Sequence, residues 1–141
     1  MAESGIKFVI SNPKTGKTYQ KEIDPSGAKK FIGMNVGGNF EGSIIGLKGY
    51  KLSITGGSDN CGFPLKKGVH ESRRKKILMR SGIGYRPKNE AIRRKTVASE
   101  QILESTVQIN TKIISDGKET IESLLGIETE PKEEEGKAEN Q

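Results

Sequence analysis

The feature that most limits the fold of this chain is a series of short β-prone runs separated by glycine and proline. The first two runs, residues 6–10 and 18–23, flank a turn-forming segment at residues 12–17. We therefore predict that the domain opens with a β-hairpin. Further strands are predicted at residues 40–45, 50–55, 75–80 and 107–114, where β-prone or alternating residues recur.

The helical signals are brief by comparison. Asp24 followed by Pro25 is typical of an N-cap and a first helical turn, so a short helix is predicted from there to Gly33. A second short helix is predicted at residues 119–125. With 18 glycines in 141 residues and little helical periodicity, the chain is predicted to be mostly β. We expect a small barrel-like domain of five to six short strands with one or two short helices, over residues 1–127.

Positive charge is concentrated in residues 66–95, which we call the basic segment. It contains 12 Lys and Arg against two Glu, whereas residues 1–63 contain eight basic and five acidic residues. Folding alone gives no reason to concentrate like charge in this way. Glycines, a proline and the apolar residues 77–79 interrupt the segment, which is typical of turns and a strand. The pattern favours a polyanionic partner such as nucleic acid, and an ordinary solvated basic surface is the alternative.

The end of the sequence has the opposite charge. Residues 119–141 contain eight Glu against two Lys. Residues 128–141 contain almost nothing apolar, so they cannot bury enough surface to offset the entropy of ordering. We predict a disordered acidic C-terminal tail there.

Composition excludes several classes of protein. A lone cysteine, Cys61, cannot form an internal disulfide, and with His70 as the single histidine no metal site built on Cys and His clusters is available. No apolar run approaches the roughly 20 residues of a membrane-spanning helix. The first residues have neither the basic start nor the apolar stretch of a signal peptide, so a cytoplasmic location is expected.

Motifs that could carry chemistry are incomplete. Gly16, Lys17 and Thr18 look like the end of a phosphate-binding P-loop, but Ser11 stands where that loop needs its first glycine. The run that follows alternates as a strand and does not open a helix. No nucleophile, acid–base pair or metal-ligand set is recognisable elsewhere. We therefore predict no enzyme activity, no metal, no cofactor and no small-molecule substrate.

The loop at residues 54–66, which we call the glycine loop, leads from a predicted strand into the basic segment. Its glycines permit a positive φ or the close approach of another backbone, and the carboxylate of Asp59 can accept hydrogen bonds from amides two residues on. We predict a rigid, tight loop that positions Lys66 and Lys67. The residues expected to shape it are Gly56, Gly57, Asp59, Gly62 and Pro64.

These motifs carry a resemblance to a known family. Residues 54–64 resemble the signature of the small-subunit ribosomal protein number six family that archaea and eukaryotes share. The similarity continues in order through residues 8–17, 68–69, 73–78, 85–87 and 93–97, and spans about residue 6 to about residue 127. The chain is similar to archaeal-type members, because it does not carry the long basic helical tail of the eukaryotic ones.

The resemblance implies a structural constituent of the small ribosomal subunit that acts in translation, with ribosomal RNA and neighbouring ribosomal proteins as its partners. Lys and Arg would neutralise RNA phosphates, and the arginine fork can bridge two phosphate oxygens. The RNA contacts are predicted at Lys66, Lys67, His70, Arg73, Arg74, Lys75, Lys76, Arg80, Tyr85, Arg86, Lys88, Arg93, Arg94 and Lys95. A free architectural nucleic-acid-binding protein is the alternative, although no recognition helix or heptad repeat is visible.

Overall fold

The computed structural model describes residues 5–126 and is mostly β. Its elements, in chain order, are β1 (Ile6–Ser11), β2 (Thr18–Ile23), α1 (Pro25–Ala28), β3 (Asn39–Glu41), a 3-10 helix (Gly42–Ile45), β4 (Lys51–Asp59), β5 (Lys75–Met79), β6 (Arg93–Val97), β7 (Thr106–Ser115) and α2 (Ile121–Leu125). The predicted disordered tail, residues 128–141, lies outside the described residues.

Five strands form one mixed sheet in the order β2-β1-β7-β4-β3, and β5 pairs with β6 as a separate two-stranded ribbon. Strand β1 runs antiparallel to β2 and parallel to β7, while the other pairs in the sheet are antiparallel. Within residues 5–126, no ladder joins the edge strands β2 and β3. The expectation of a barrel-like body is therefore corrected to an open sheet with an attached ribbon.

The main core is formed by strand side chains that alternate between buried and exposed positions. In β1 every second side chain is buried, namely Ile6, Phe8 and Ile10. Phe8 packs against Phe31 with ring centroids 4.8 Å apart, and Phe31 packs edge-on against Phe40 at 5.0 Å. This aromatic cluster holds the segment after α1 and the edge strand β3 against the middle of the sheet.

A second, smaller core lies under the ribbon. Val69, Met79 and Val97 are buried together, and Ile77 and Tyr85 pack against them. Because these residues belong to the basic segment and to the strand that ends beside it, that segment has an apolar support of its own. It is a folded part of the domain and not a loose basic arm.

Most predicted elements are confirmed. The opening hairpin, the strand at residues 50–55, the strand at residues 75–80 and the long strand near residue 110 all form, and a short helix lies within residues 119–125. Strand β6 was not predicted, because its three consecutive cations hide any alternation.

Two boundaries differ from the prediction. The first helix ends at Ala28, and turns follow it as far as Gly33. The strand predicted at residues 40–45 ends at Glu41, where Gly42 enters the 3-10 helix. A Cβ on Gly42 would lie 2.5 Å from the Leu47 carbonyl oxygen, so the chain turns tightly there in a way that a strand would not allow. Within residues 5–126, no helix has the length and apolar composition needed to span a membrane.

Candidate nucleic-acid interface

The glycine loop is held by the side chain of Asp59, the last residue of β4. Its carboxylate is buried, with 3% of the side chain exposed. Oδ1 accepts hydrogen bonds from the backbone amides of Cys61 (2.9 Å) and Phe63 (3.0 Å), as the sequence predicted for the first of them. The Gly62 amide donates to the Asp59 carbonyl, and Gly62 takes a positive φ of 85°. A single carboxylate therefore fixes the turn that leads into the basic segment.

The first half of the predicted loop is strand. Residues 54–59 belong to β4, and within that strand neither Gly56 nor Gly57 has a positive φ. A Cβ on Gly57 would lie 2.3 Å from the Gln108 carbonyl oxygen of β7, so this glycine permits close approach of two backbones. Gly56 lies beside a register shift between β4 and β7. The prediction of close backbone approach holds for Gly57, and the tight turn is confined to residues 59–64.

Arg74 joins the basic segment to this turn. Its Nε donates to Oδ2 of Asp59 at 2.5 Å, its Nη2 donates to Oδ1 of Asn60 at 2.8 Å, and its guanidinium lies 5.3 Å from the centre of the Phe63 ring. Burial alone would raise the pKa of Asp59. The hydrogen bonds from Arg74 and from the amides of Phe63 and Cys61 outweigh it and hold that pKa below its ordinary value.

Two further cations of the basic segment are paired with one glutamate. Arg73 Nε and Lys75 Nζ donate to the two carboxylate oxygens of Glu71, at 2.7 and 2.6 Å. The hydrogen bonds from Lys75 and Arg73, with their positive charges, lower the pKa of Glu71 to about 2. The sequence did not predict this pair, because residues 71–73 form bends and not a helix, in which a four-residue spacing would bring the two side chains together.

His70 also meets a carboxylate, from a distant part of the chain. Its Nδ1 lies 2.7 Å from Oε1 of Glu100, and the other oxygen of Glu100 accepts a hydrogen bond from the Gly68 amide at 2.9 Å. The Gly68 amide and His70 hold the pKa of Glu100 below its usual value. The imidazole itself is largely exposed. Its sequence neighbour Glu71 is not its partner, and Glu100 was not foreseen.

The remaining cations differ from these paired ones. Within residues 5–126, nine cations of the basic segment make no ion pair, and they are exposed or half-buried. They are Lys66, Lys67, Lys76, Arg80, Arg86, Lys88, Arg93, Arg94 and Lys95. Their charges are open to an external anion, whereas Arg73, Arg74 and Lys75 already have carboxylate partners.

Strands β5 and β6 give the ribbon two different faces. Met79 and Val97 are buried on the inner face, and side chains alternate along each strand. The outer face therefore contains Lys76, Leu78, Arg94 and Thr96, with Lys76 opposite Thr96 and Leu78 opposite Arg94 in the ladder. We call these four residues the ribbon face. A cleft between the glycine loop and β6, lined among others by Phe63, Pro64, Arg94 and Thr96, adjoins it.

Tyr85 is placed by the small core. Its hydroxyl donates to the Ala91 carbonyl at 2.7 Å, and Lys95 Nζ lies 5.8 Å from the centre of its ring. The ring is half-buried against Val69, Met79 and Val97. Tyr85 therefore has a structural task in the ribbon, and an RNA contact at its exposed edge stays a prediction.

The P-loop resemblance has no structural support. Thr18 begins β2, and Lys17 pairs with Glu122 of α2 at 2.8 Å. In the part of the chain that the structure describes, no group of three or more His, Cys, Asp or Glu is placed to hold a metal ion.

The domain thus presents a folded basic ribbon beside a rigid loop, an arrangement typical of nucleic-acid-binding proteins. The family model for ribosomal protein S6e matches residues 6–126, and the chain belongs to this family of ribosomal proteins. This family is not one of enzymes. The predicted resemblance is confirmed.

Curated archaeal relatives agree with this assignment, and each is a small ribosomal subunit protein eS6. The protein of Methanothermobacter thermautotrophicus is 48% identical over 89% of this chain and 98% of its own length. The protein of Methanocaldococcus jannaschii is 44% identical over 86% of this chain and 92% of its own. That of Methanobrevibacter smithii is 42% identical, over 92% and 98%.

Proposed function

We propose that this protein is a structural constituent of the small ribosomal subunit and binds ribosomal RNA through the basic segment, with neighbouring ribosomal proteins as further partners. Family membership supports the ribosomal part of the proposal. The observation that carries the RNA-binding part is the group of nine cations without ion pairs in one folded segment. Such charges neutralise phosphates and release counterions, which stabilises the complex.

The paired and unpaired cations have different tasks in this proposal. Arg73, Arg74 and Lys75 shape the start of the ribbon through Glu71 and Asp59. The unpaired cations on and around the ribbon supply the phosphate contacts. A charge reversal that includes the paired residues would disturb the fold as well as binding, so a clean test has to leave them intact.

The experiment reverses four unpaired cations in and beside the ribbon together, Lys76, Arg80, Arg93 and Arg94, each to Glu. The matched control makes the same number of reversals at exposed lysines outside the basic segment: Lys29, Lys30, Lys48 and Lys51. Both full-length variants are first checked for a cooperative thermal transition. Each is then mixed with small subunits reconstituted from their components, and incorporation is measured by sucrose-gradient sedimentation.

The ribbon variant is expected to remain at the top of the gradient, while the control enters the subunit as the unchanged protein does. Equal incorporation of the two variants would contradict the proposal. Recovery of the protein with chromosomal DNA and never with small subunits would instead support a free architectural nucleic-acid-binding protein.

A further inference from the structure

The ribbon face carries an exposed leucine among its cations. Leu78 has 68% of its surface exposed, the most of any large hydrophobic residue within residues 5–126. It lies directly opposite Arg94 in the β5–β6 ladder, and Lys76 precedes it on the same face. The small core does not require an aliphatic side chain at this position, because the inner face of the ribbon already has its own buried residues.

The exposure of Leu78 is not an isolated case. The described chain exposes six large hydrophobic residues, and three of them, Leu78, Ile83 and Ile92, lie in the basic segment. Single exposed apolar side chains are ordinary on protein surfaces, but Leu78 is the most exposed of the six and the one of these three that lies on the ribbon face, beside Lys76 and Arg94. The charges around it favour a polyanion as the occupant over an apolar protein surface.

The chemistry of the four outer side chains fits one class of nucleic acid. Lys76 and Arg94 can reach phosphates, the Thr96 hydroxyl can exchange a hydrogen bond with a ribose 2′-hydroxyl, and Leu78 can pack on the apolar side of ribose rings. The ribbon face contains no aromatic residue, so base stacking is not available to it. Phosphate and 2′-hydroxyl contacts across a wide, shallow groove are how proteins bind double-helical RNA.

We propose that the ribbon face docks in the shallow groove of an A-form RNA double helix, with Leu78 as its central apolar contact. The proposal rests on the RNA-binding function proposed above and specifies the class of RNA. Lys76, two residues before Leu78, and Arg94, opposite it in the ladder, contact phosphates that border the groove. Leu78 adds affinity that does not depend on salt, because burying an aliphatic side chain releases no counterions.

The experiment measures binding of the full chain to a short RNA duplex over a range of salt concentrations, with Leu78→Ser and Ile114→Ser as a matched pair. Ile114 is 55% exposed in β7, outside the basic segment. Leu78→Ser is expected to weaken binding about tenfold with an unchanged slope against salt, while Ile114→Ser has no effect. Lys76→Ser is expected to lower the slope by about one, as the loss of one phosphate contact does.

Competition with a DNA duplex and a single-stranded RNA of the same sequence tests the class of ligand. The RNA duplex is expected to compete at least tenfold better than either. Equal competition by the DNA duplex, or an affinity for RNA that Leu78→Ser leaves intact, would overturn this inference while leaving the proposed function standing. Normal RNA binding by Leu78→Ser with lost entry into subunits would assign Leu78 to a protein neighbour and also overturn it. If the unchanged protein does not bind the RNA duplex but enters small subunits normally, this inference is overturned and the proposed function stands; failure in both assays would refute the proposed function.

Discussion

Replacing Asp59 by Ala tests whether one buried carboxylate fixes the turn before the basic segment. The substitution removes the acceptor of the Cys61 and Phe63 amides and the partner of the Arg74 guanidinium. Hydrogen bonds to a charged group contribute about 1.5–3 kcal/mol each, but Cys61 and Arg74 are exposed enough to recover hydration, so only the half-buried Phe63 amide carries the full cost. We expect Asp59→Ala to lower the free energy of unfolding by about 3 kcal/mol.

The corresponding thermal shift follows from the size of the domain. An unfolding entropy of about 2.1 cal/mol/K per residue, over roughly 120 residues, gives about 0.25 kcal/mol/K, so Tm is expected to fall by roughly 12 °C. Circular dichroism on the full chain measures it. Asp116→Ala is the matched control, because Asp116 pairs with Lys14 at the surface, and its Tm is expected to change by at most about 3 °C. A shift for Asp59→Ala no larger than that of the control would refute the role given to Asp59.

Two further predictions concern the same part of the fold. Gly57→Ala is expected to lower Tm by more than about 10 °C, because the added Cβ would clash with the Gln108 carbonyl oxygen. At Gly56 an added Cβ meets nothing within 4 Å, so Gly56→Ala is expected to change Tm by less than about 4 °C. Thermal unfolding of the two variants tests both expectations. The free energy of unfolding is expected to decrease as the pH falls below about 4.5. The reason is that Asp59, Glu71 and Glu100 have lowered pKa values in the folded protein and stabilise it only while they are ionised. Denaturant titrations at pH 6, 4 and 3 measure this loss, and Asp59→Asn should flatten it; a stability independent of pH across this range would contradict the ion pairs.

The sequence predicted the strands where apolar and polar residues alternate, because alternation reports burial directly. It failed where burial is set by distant partners. Strand β6 has three consecutive cations, and only its pairing with β5 and the burial of Val97 define it as a strand. The strand predicted at residues 40–45 was too long, because Gly42 packs against Leu47 in a tight turn that no local sequence pattern indicates.

The sequence predicted which segment contains the candidate interface, but not which of its side chains face outward without an ion-pair partner. The count of charges located the basic segment, but it could not show that Arg73, Arg74 and Lys75 form ion pairs with Glu71 and Asp59. The Glu100–His70 contact joins residues 30 positions apart and has no sequence signal. Leu78 was read as part of an apolar run, and only the register of the ribbon shows that it faces outward.

The measurement that tests this account most directly is crosslinking of purified small subunits that contain this protein, with the crosslinked residues mapped by mass spectrometry. We expect RNA crosslinks at the unpaired cations of the basic segment, with Lys76 and Arg94 of the ribbon face among them, and few in the five-stranded sheet. RNA crosslinks confined to the sheet, with none in residues 66–95, would contradict the account.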